Sequence, residues 1–361
     1  MTWPVSMDQI GPGRRERGRF AARQRASAAW IGLVMAVVLS VAAAFVVLRS
    51  SGGGSTTTML QVPPGFVTSR GGGILVNGVS TKFVGWNTNG FPHIRCGGGP
   101  VKRADVDRYF AEYTNRNTWI RTWVFPGADL GELDYEIAAA KKTGAKLILT
   151  LSNSYPYCND PGGEKSADWY RGGWRATHEA HIRNVVQRYK NEPGVAFWEL
   201  QNEPHGAGNQ AIKQFLTEAS ALIKGIDSRH LISSGSMPPY AYDGVAGYRD
   251  IHDVPGLDIL SAHTYDEGMK APGHLREAAE VATALNKPLY WGEMGLNAAP
   301  AQWAARRNQV MSQLTDAFAT MPNLVGFSYW ALNWNIDGPM NTGPEDPYLP
   351  AAIRGFRAFG S

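Results

Sequence analysis

Short apolar runs recur along the chain at residues 82–87, 118–125, 145–151, 195–201, 230–234, 257–263, 288–293 and 325–331. They are not strictly alternating, so they read as strands buried on both faces. Stretches with helical spacing of apolar positions lie between most of them, at 101–115, 130–143, 174–190, 210–226, 274–285 and 302–320. Gly144 stops the second of these. The crossover around 240–250 is the least regular, and a last helix is expected near 349–359. Eight strand–helix alternations over about 300 residues predict a (β/α)8 TIM barrel. The competing architecture, a doubly wound open sheet, carries a glycine-rich phosphate turn after its first strand. Here that strand runs into Thr88-Asn89-Gly90-Phe91-Pro92, which is no such turn. Gly71–Gly73 and Gly97–Gly99 read as tight or flexible turns.

Ahead of the barrel, residues 30–48 form a run of 19 uncharged positions, long enough as a helix to cross a bilayer. Six arginines lie between Arg14 and Arg25, which places the N-terminus on the cytoplasmic side. The expected organisation is a cytoplasmic Arg-rich tail at 1–29, a transmembrane signal anchor at 30–48, a Gly/Ser/Thr linker at 49–60 and the barrel at 61–361. The chain would then be a single-pass plasma-membrane protein with its barrel outside the cytoplasm. A cleaved signal peptide, and hence secretion, is the alternative. The formal charge of +4 comes from the tail. Of 35 basic and 31 acidic residues, seven and two fall in the first fifty, leaving 28 and 29 in the remainder. A near-neutral barrel gives no support to a nucleic-acid partner. A monomer is expected.

Outside the cytoplasm, cysteines tend to pair. Cys96 and Cys158, 62 residues apart, are a candidate disulfide, with two free thiols as the alternative. Two cysteines without histidines at ligand spacing make no zinc site. No metal or organic cofactor is implied.

Two strand-like runs each deliver a glutamate at the C-terminal end, where the functional residues of a parallel barrel gather. One is Phe197-Trp198-Glu199-Leu200-Gln201-Asn202-Glu203-Pro204, and the other is Pro288-Leu289-Tyr290-Trp291-Gly292-Glu293. Strands four and seven lie three steps apart in a ring of eight, so their ends face each other across the mouth. Paired carboxylates in that position suit glycosidic bond cleavage, where one acts as acid and the other as nucleophile.

The chain resembles the clan of retaining (β/α)8 glycoside hydrolases, and within it family 5, over most of residues 60–361. The resemblance implies that Glu203, in Asn202-Glu203-Pro204, is the general acid/base and Glu293 the nucleophile. It implies that Asn202 bonds the substrate 2-hydroxyl and that Arg121, in Trp119-Ile120-Arg121-Thr122, steadies the nucleophile. His263 and Tyr265, in His263-Thr264-Tyr265, and Trp330 as a sugar platform complete the set. Many cellulases of the family carry a histidine near strand three, but this chain reads Leu151-Ser152-Asn153-Ser154-Tyr155. The entry Gly73-Ile74-Leu75-Val76-Asn77-Gly78 and Phe83-Val84-Gly85-Trp86-Asn87 looks like that of family 5 β-mannanases. The implied activity is endo-β-1,4-mannan hydrolysis. An endo-β-1,4-glucanase or other β-glycanase, and a non-catalytic wall-tethered carbohydrate-binding protein, remain as alternatives.

Trp86, Trp123 and Trp334 lie near strand ends, where a flat ring could meet a sugar face. Trp119, Trp198 and Trp291 are expected in the core. Glu199 is expected as an interior charge paired with a basic group. His178 and His181, three apart rather than the four a helical zinc pair needs, are expected on a helix surface. Glu203 is expected to have a raised pKa, and Glu293 a low one beside Arg121.

Overall fold

The computed structural model describes residues 63–333, apart from 95, 97–100, 157, 159, 162, 266–270 and 296–302. The predicted tail, apolar helix, linker and closing helix, together with Trp334, lie outside the described residues. Among the described residues no helix is long and apolar enough to cross a membrane.

The domain opens with three short antiparallel strands, β1 (Val67–Arg70), β2 (Gly73–Val76) and β3 (Val79–Thr81). The sequence reading missed this sheet, because strands of three or four residues give too few alternations to register. Gly71, predicted in a turn, joins β1 to β2 at a φ of 57°. The barrel strands follow: β4 (Phe83–Thr88), β5 (Thr118–Trp123), β6 (Leu147–Thr150), β7 (Val195–Glu199), β8 (Leu231–Ser233), β9 (Leu260–His263), β10 (Leu289–Met294) and β11 (Leu324–Tyr329). Every neighbouring pair is parallel, in the order β8-β7-β6-β5-β4-β11-β10-β9. A single parallel bridge between Ser233 and Ile259 joins the two ends. The result is the predicted eight-stranded parallel near-barrel.

Helices α1 (Arg103–Tyr113), α2 (Leu130–Thr143), α3 (Ala180–Tyr189), α4 (Asn209–Ile226), α5 (Val245–His252), α6 (Ala271–Ala284) and α7 (Trp303–Thr320) fill the crossovers. Helix α2 starts where the Asp129 carboxylate accepts from Gly131 and Glu132 N–H, and it ends at Gly144 in the left-handed conformation. The irregular fifth crossover is a 3-10 turn at Pro239–Tyr242 followed by α5.

Side-chain alternation divides the core in two. Phe83, Trp119, Ile148, Phe197 and Tyr290 point into the barrel and pack with Val67 and Ile74 from the β1–β2 hairpin. That hairpin caps the end where the strands begin. Phe83 stacks on Trp119 with ring centroids 4.1 Å apart. Trp86, Ile120, Leu149, Trp198 and Trp291 point outward and pack under the helices. Trp119, Trp198 and Trp291 are fully buried, as expected.

Two expectations fail here. Trp86 is 1% exposed and meets Tyr329 edge-on at 5.7 Å, so it is a core residue and not a sugar platform. The reason is parity. Its neighbour Asn87 takes the inward direction, so Trp86 must face the helices. His178 is likewise buried, not on a helix surface. The segment before α3 is wound as two π-helical pieces, Trp169–Gly173 and Arg175–Glu179, which turn His178 inward onto Asp160. His181 is partly buried, its Nε2 2.7 Å from the Val124 carbonyl.

Candidate active site

At the opposite end the barrel interior turns polar. Asn87, Arg121 and Glu199 stand on the inward rows of β4, β5 and β7, above Phe83, Trp119 and Phe197. Glu293 reaches the same layer because the register of β10 against β9 slips between Trp291 and Glu293. Such a slip re-aims a side chain. Trp291 and Met294 stay in the outer core while Glu293 faces inward.

Arg121 organises this layer and is fully buried. Its NH1 donates to Glu293 Oε1 at 2.6 Å and to Asn87 Oδ1 at 2.8 Å, its NH2 donates to Asn202 Oδ1 at 2.8 Å, and its Nε donates to Glu199 Oε1 at 2.7 Å. Glu199 also accepts from the Thr150 hydroxyl at 2.9 Å. It is the paired interior charge that its position predicted. Asn87 in turn donates to the Gly292 carbonyl at 2.9 Å, tying β4 to β10 directly below Glu293.

The other carboxylate hangs from the end of β7. Asn202 N–H donates to the Ser152 carbonyl at 2.8 Å, and Ser154 N–H donates to the Asn202 carbonyl at 3.0 Å. Then the chain breaks direction. Glu203 has a φ of 50°, and its N–H donates to the Gly235 carbonyl at 2.8 Å. Gly235 itself has a φ of 74°, and a Cβ there would collide with the Gln201 carbonyl. Only glycine satisfies both demands without strain.

His263 lies between the two glutamates, its Nδ1 3.1 Å from Glu203 Oε1 and 3.5 Å from Glu293 Oε1. One oxygen of each glutamate and a ring nitrogen of His263 all lie within 4.8 Å of one another. The Tyr265 hydroxyl donates to Glu293 Oε2. Trp330 is partly buried at the mouth, its ring 5.3 Å from that of Trp123, which stacks on Phe125 at 5.2 Å. Cys96 and Cys158 pack against this aromatic cluster and are joined as a disulfide, with Cα atoms 4.3 Å apart. Of the predicted site residues, Arg121, Asn202, Glu203, His263, Tyr265 and Glu293 come together in one polar cluster. Trp330 stands at its rim.

The protonation balance differs from the sequence expectation. Burial is the largest influence on Glu293 and pushes its carboxyl above the ordinary value; repulsion from Glu203 adds to this, against the pull of His263 and Arg121. Burial also acts to raise Glu203, but the hydrogen bond and positive charge of His263 outweigh it, aided by Tyr155 and Arg121, and hold Glu203 below the ordinary value. The expectation of a raised Glu203 and a low Glu293 did not allow for a histidine between them. Tyr265 is pushed well up by burial and by Glu293, so its hydroxyl keeps the proton that it donates.

Sequence reading missed Asn87, Asn153 and Tyr155. Asn87 was within reach, since it follows Phe83 and Gly85 on the inward row of the first barrel strand. The other two belong to the loop after β6, where no periodicity applies.

The family description GH family 5 beta-mannosidase-like matches residues 157–338. The chain is 31% identical over 204 residues to mannan endo-1,4-beta-mannosidase F of Aspergillus fumigatus, covering 48% of this chain and 46% of that one. It is 26% identical over 343 residues to mannan endo-1,4-beta-mannosidase 7 of Arabidopsis thaliana, covering 70% and 77%. Against mannan endo-1,4-beta-mannosidase F of Aspergillus clavatus, at 28% identity, it covers 61% of this chain and 62% of that one, so it spans less than two thirds of both Aspergillus relatives. Among solved structures, the endo-1,4-beta-mannanase from Rhizomucor miehei superposes with a TM-score of 0.65 at 20% identity, over 81% of this chain and 99% of that one. The structure of XacCel5A in complex with cellopentaose superposes at 0.59 with 16% identity, over 76% and 99%. At such identities the likeness is one of fold. On the family match, which takes in half of its residues and both glutamates, the chain belongs to glycoside hydrolase family 5, in its β-mannosidase-like group.

Proposed function

We propose that this chain hydrolyses β-1,4-linked mannan internally, with retention of anomeric configuration. The observation that carries the reading is the approach of the two glutamates, within 4.8 Å oxygen to oxygen at the barrel mouth. Retaining enzymes need about 5–5.5 Å between their carboxyl groups, whereas inverting ones need about 6.5–9.5 Å to admit a water.

Glu293 attacks the anomeric carbon. The glycosidic bond breaks, and Glu203 gives its proton to the departing oxygen. Glu203 then takes a proton from water, whose oxygen displaces Glu293 and releases the sugar with its original configuration. The acid needs a proton on Glu203 at that moment. Two carboxylates this close do not readily ionise together, so repulsion favours one proton on the pair. The bond-breaking step requires that proton on Glu203, against the resting balance. Arg121 and Tyr265 hold Glu293 ionised and aimed, Asn202 meets the 2-hydroxyl, and Trp330 offers its ring to a sugar face.

Mannan is favoured over glucan because the curated relatives bear mannan endo-1,4-beta-mannosidase names and because no histidine follows β6 in the Leu151–Tyr155 segment. The barrel is proposed to act as a monomer outside the cytoplasm, tethered by residues 30–48. Product analysis on mannan, carboxymethyl cellulose and β-1,3-glucan tests the substrate. Manno-oligosaccharides from mannan are the expected result. Release from cellulose alone makes the chain a glucanase, and tight binding without release from any of the three makes it a binding protein.

A further inference from the structure

Behind the site lies a buried ionic cluster for which the chemistry above has no use. Asp160, Lys165 and His178 are 5%, 3% and 0% exposed. Asp160 Oδ1 is 2.5 Å from His178 Nε2, and Lys165 Nζ is 3.7 Å from Asp160 Oδ2. Burying charges in this way costs several kcal/mol per ion and is weak evidence of a stabilising role. The cluster meets the active site along the loop after β6, where Lys165 N–H donates to the Ser154 carbonyl at 3.3 Å. Asp160 Oδ2 accepts from the backbone N–H of Asn153 at 2.6 Å.

Asn153 is fully buried and forms an isolated parallel bridge with Asn202, the residue before Glu203. Its side-chain Oδ1 accepts from Asn202 Nδ2 at 3.1 Å, while Asn202 Oδ1 accepts from Arg121 NH2 at 2.8 Å. The Asn202 amide is therefore fixed at both ends. Turned over, it would set its NH2 group against the guanidinium donors and its oxygen against the Asn153 oxygen. An amide nitrogen has two hydrogens. With one given to Asn153, the second is left for a substrate hydroxyl.

We propose that Asn153 and Asp160 are positioning residues. Asp160, anchored by His178 and Lys165, holds the backbone of Asn153, and Asn153 orients Asn202 and the turn that carries Glu203. The inference rests on the reading of Asn202 and Glu203 as substrate-facing groups.

The test is a double-mutant cycle on the full chain with Asn153→Ala and Asn202→Ala, measured on the β-glycan that the wild type cleaves fastest, together with a crystal structure of Asn153→Ala. Residues in one hydrogen-bond network couple, and unconnected ones add. Asn153→Ala is expected to lower kcat/KM about tenfold in the wild-type background and less than about twofold in the Asn202→Ala background. In the crystal the Asn202 amide should leave Arg121. The same fold-loss in both backgrounds, no loss in either, or an Asn202 amide still held at its present distance from Arg121 would overturn the proposal. Asp160→Asn, taken through the same cycle, replaces Asn153→Ala should that variant not fold. A wild type without turnover on any glycan defeats the hydrolase reading, and the crystal structure still decides the orientation of Asn202.

Discussion

Arg121 NH1 stands 2.6 Å from Glu293 Oε1, with the arginine side chain closed to solvent and the glutamate 4% exposed. The same guanidinium also binds the buried Glu199. Removing it leaves one buried carboxylate uncompensated and lifts the charge control on the other. Arg121→Gln should destabilise the fold by about 3–5 kcal/mol, read from a denaturation midpoint. Because Arg121 pulls the pKa of both Glu293 and Glu203 down, its loss should also move the kcat/KM profile to higher pH. An unmoved profile would detach Arg121 from the two carboxylates.

His263 exerts the main pull that lowers Glu203. In His263→Asn that pull is gone, so the Glu203 carboxyl rises and keeps its proton to higher pH. Glu293 also loses a stabilising charge, so both limbs of the kcat/KM profile should shift upward. A profile displaced to lower pH would contradict this assignment.

The Cys96–Cys158 bridge closes a loop spanning 62 residues. Chain-entropy reasoning gives it about 4 kcal/mol. Cys96→Ser combined with Cys158→Ser should lower the unfolding free energy by that order. The aromatic cluster around Trp123 and Trp330, against which both cysteines pack, should loosen first in hydrogen exchange.

Trp86 and Trp330 separate packing from binding. Trp86 is buried under the helices and Trp330 lies partly exposed at the mouth. Trp86→Ala should cost about 3–5 kcal/mol of stability, with little change in KM for the surviving folded fraction. Trp330→Ala should raise KM roughly tenfold, the scale of one lost aromatic contact, while the melting curve moves little.

The sequence carried the barrel and its reacting groups because both depend on short-range signals. Non-alternating apolar runs gave the strands, residues at strand ends gave Glu203 and Glu293, and the resemblance to family 5 supplied Arg121, Asn202 and His263. What escaped it depends on relations that the local pattern does not encode. The face taken by Trp86 follows from its neighbour Asn87 filling the interior. The burial of His178 follows from π-helical winding and from Asp160, 18 residues away in the chain. The relative acidity of the two glutamates depends on where the His263 ring lies, which three-dimensional packing alone decides. Asn153 and Tyr155 sit on a loop whose path is set by a disulfide and a buried ion cluster.

Retention requires the two glutamates to act in turn on one anomeric carbon. Proton NMR of the first reducing ends released from a manno-oligosaccharide, recorded before mutarotation, reads this directly. The β-anomer should appear first, with the α-anomer growing in later. If the α-anomer is the initial product, a single displacement has occurred and Glu293 is not the nucleophile.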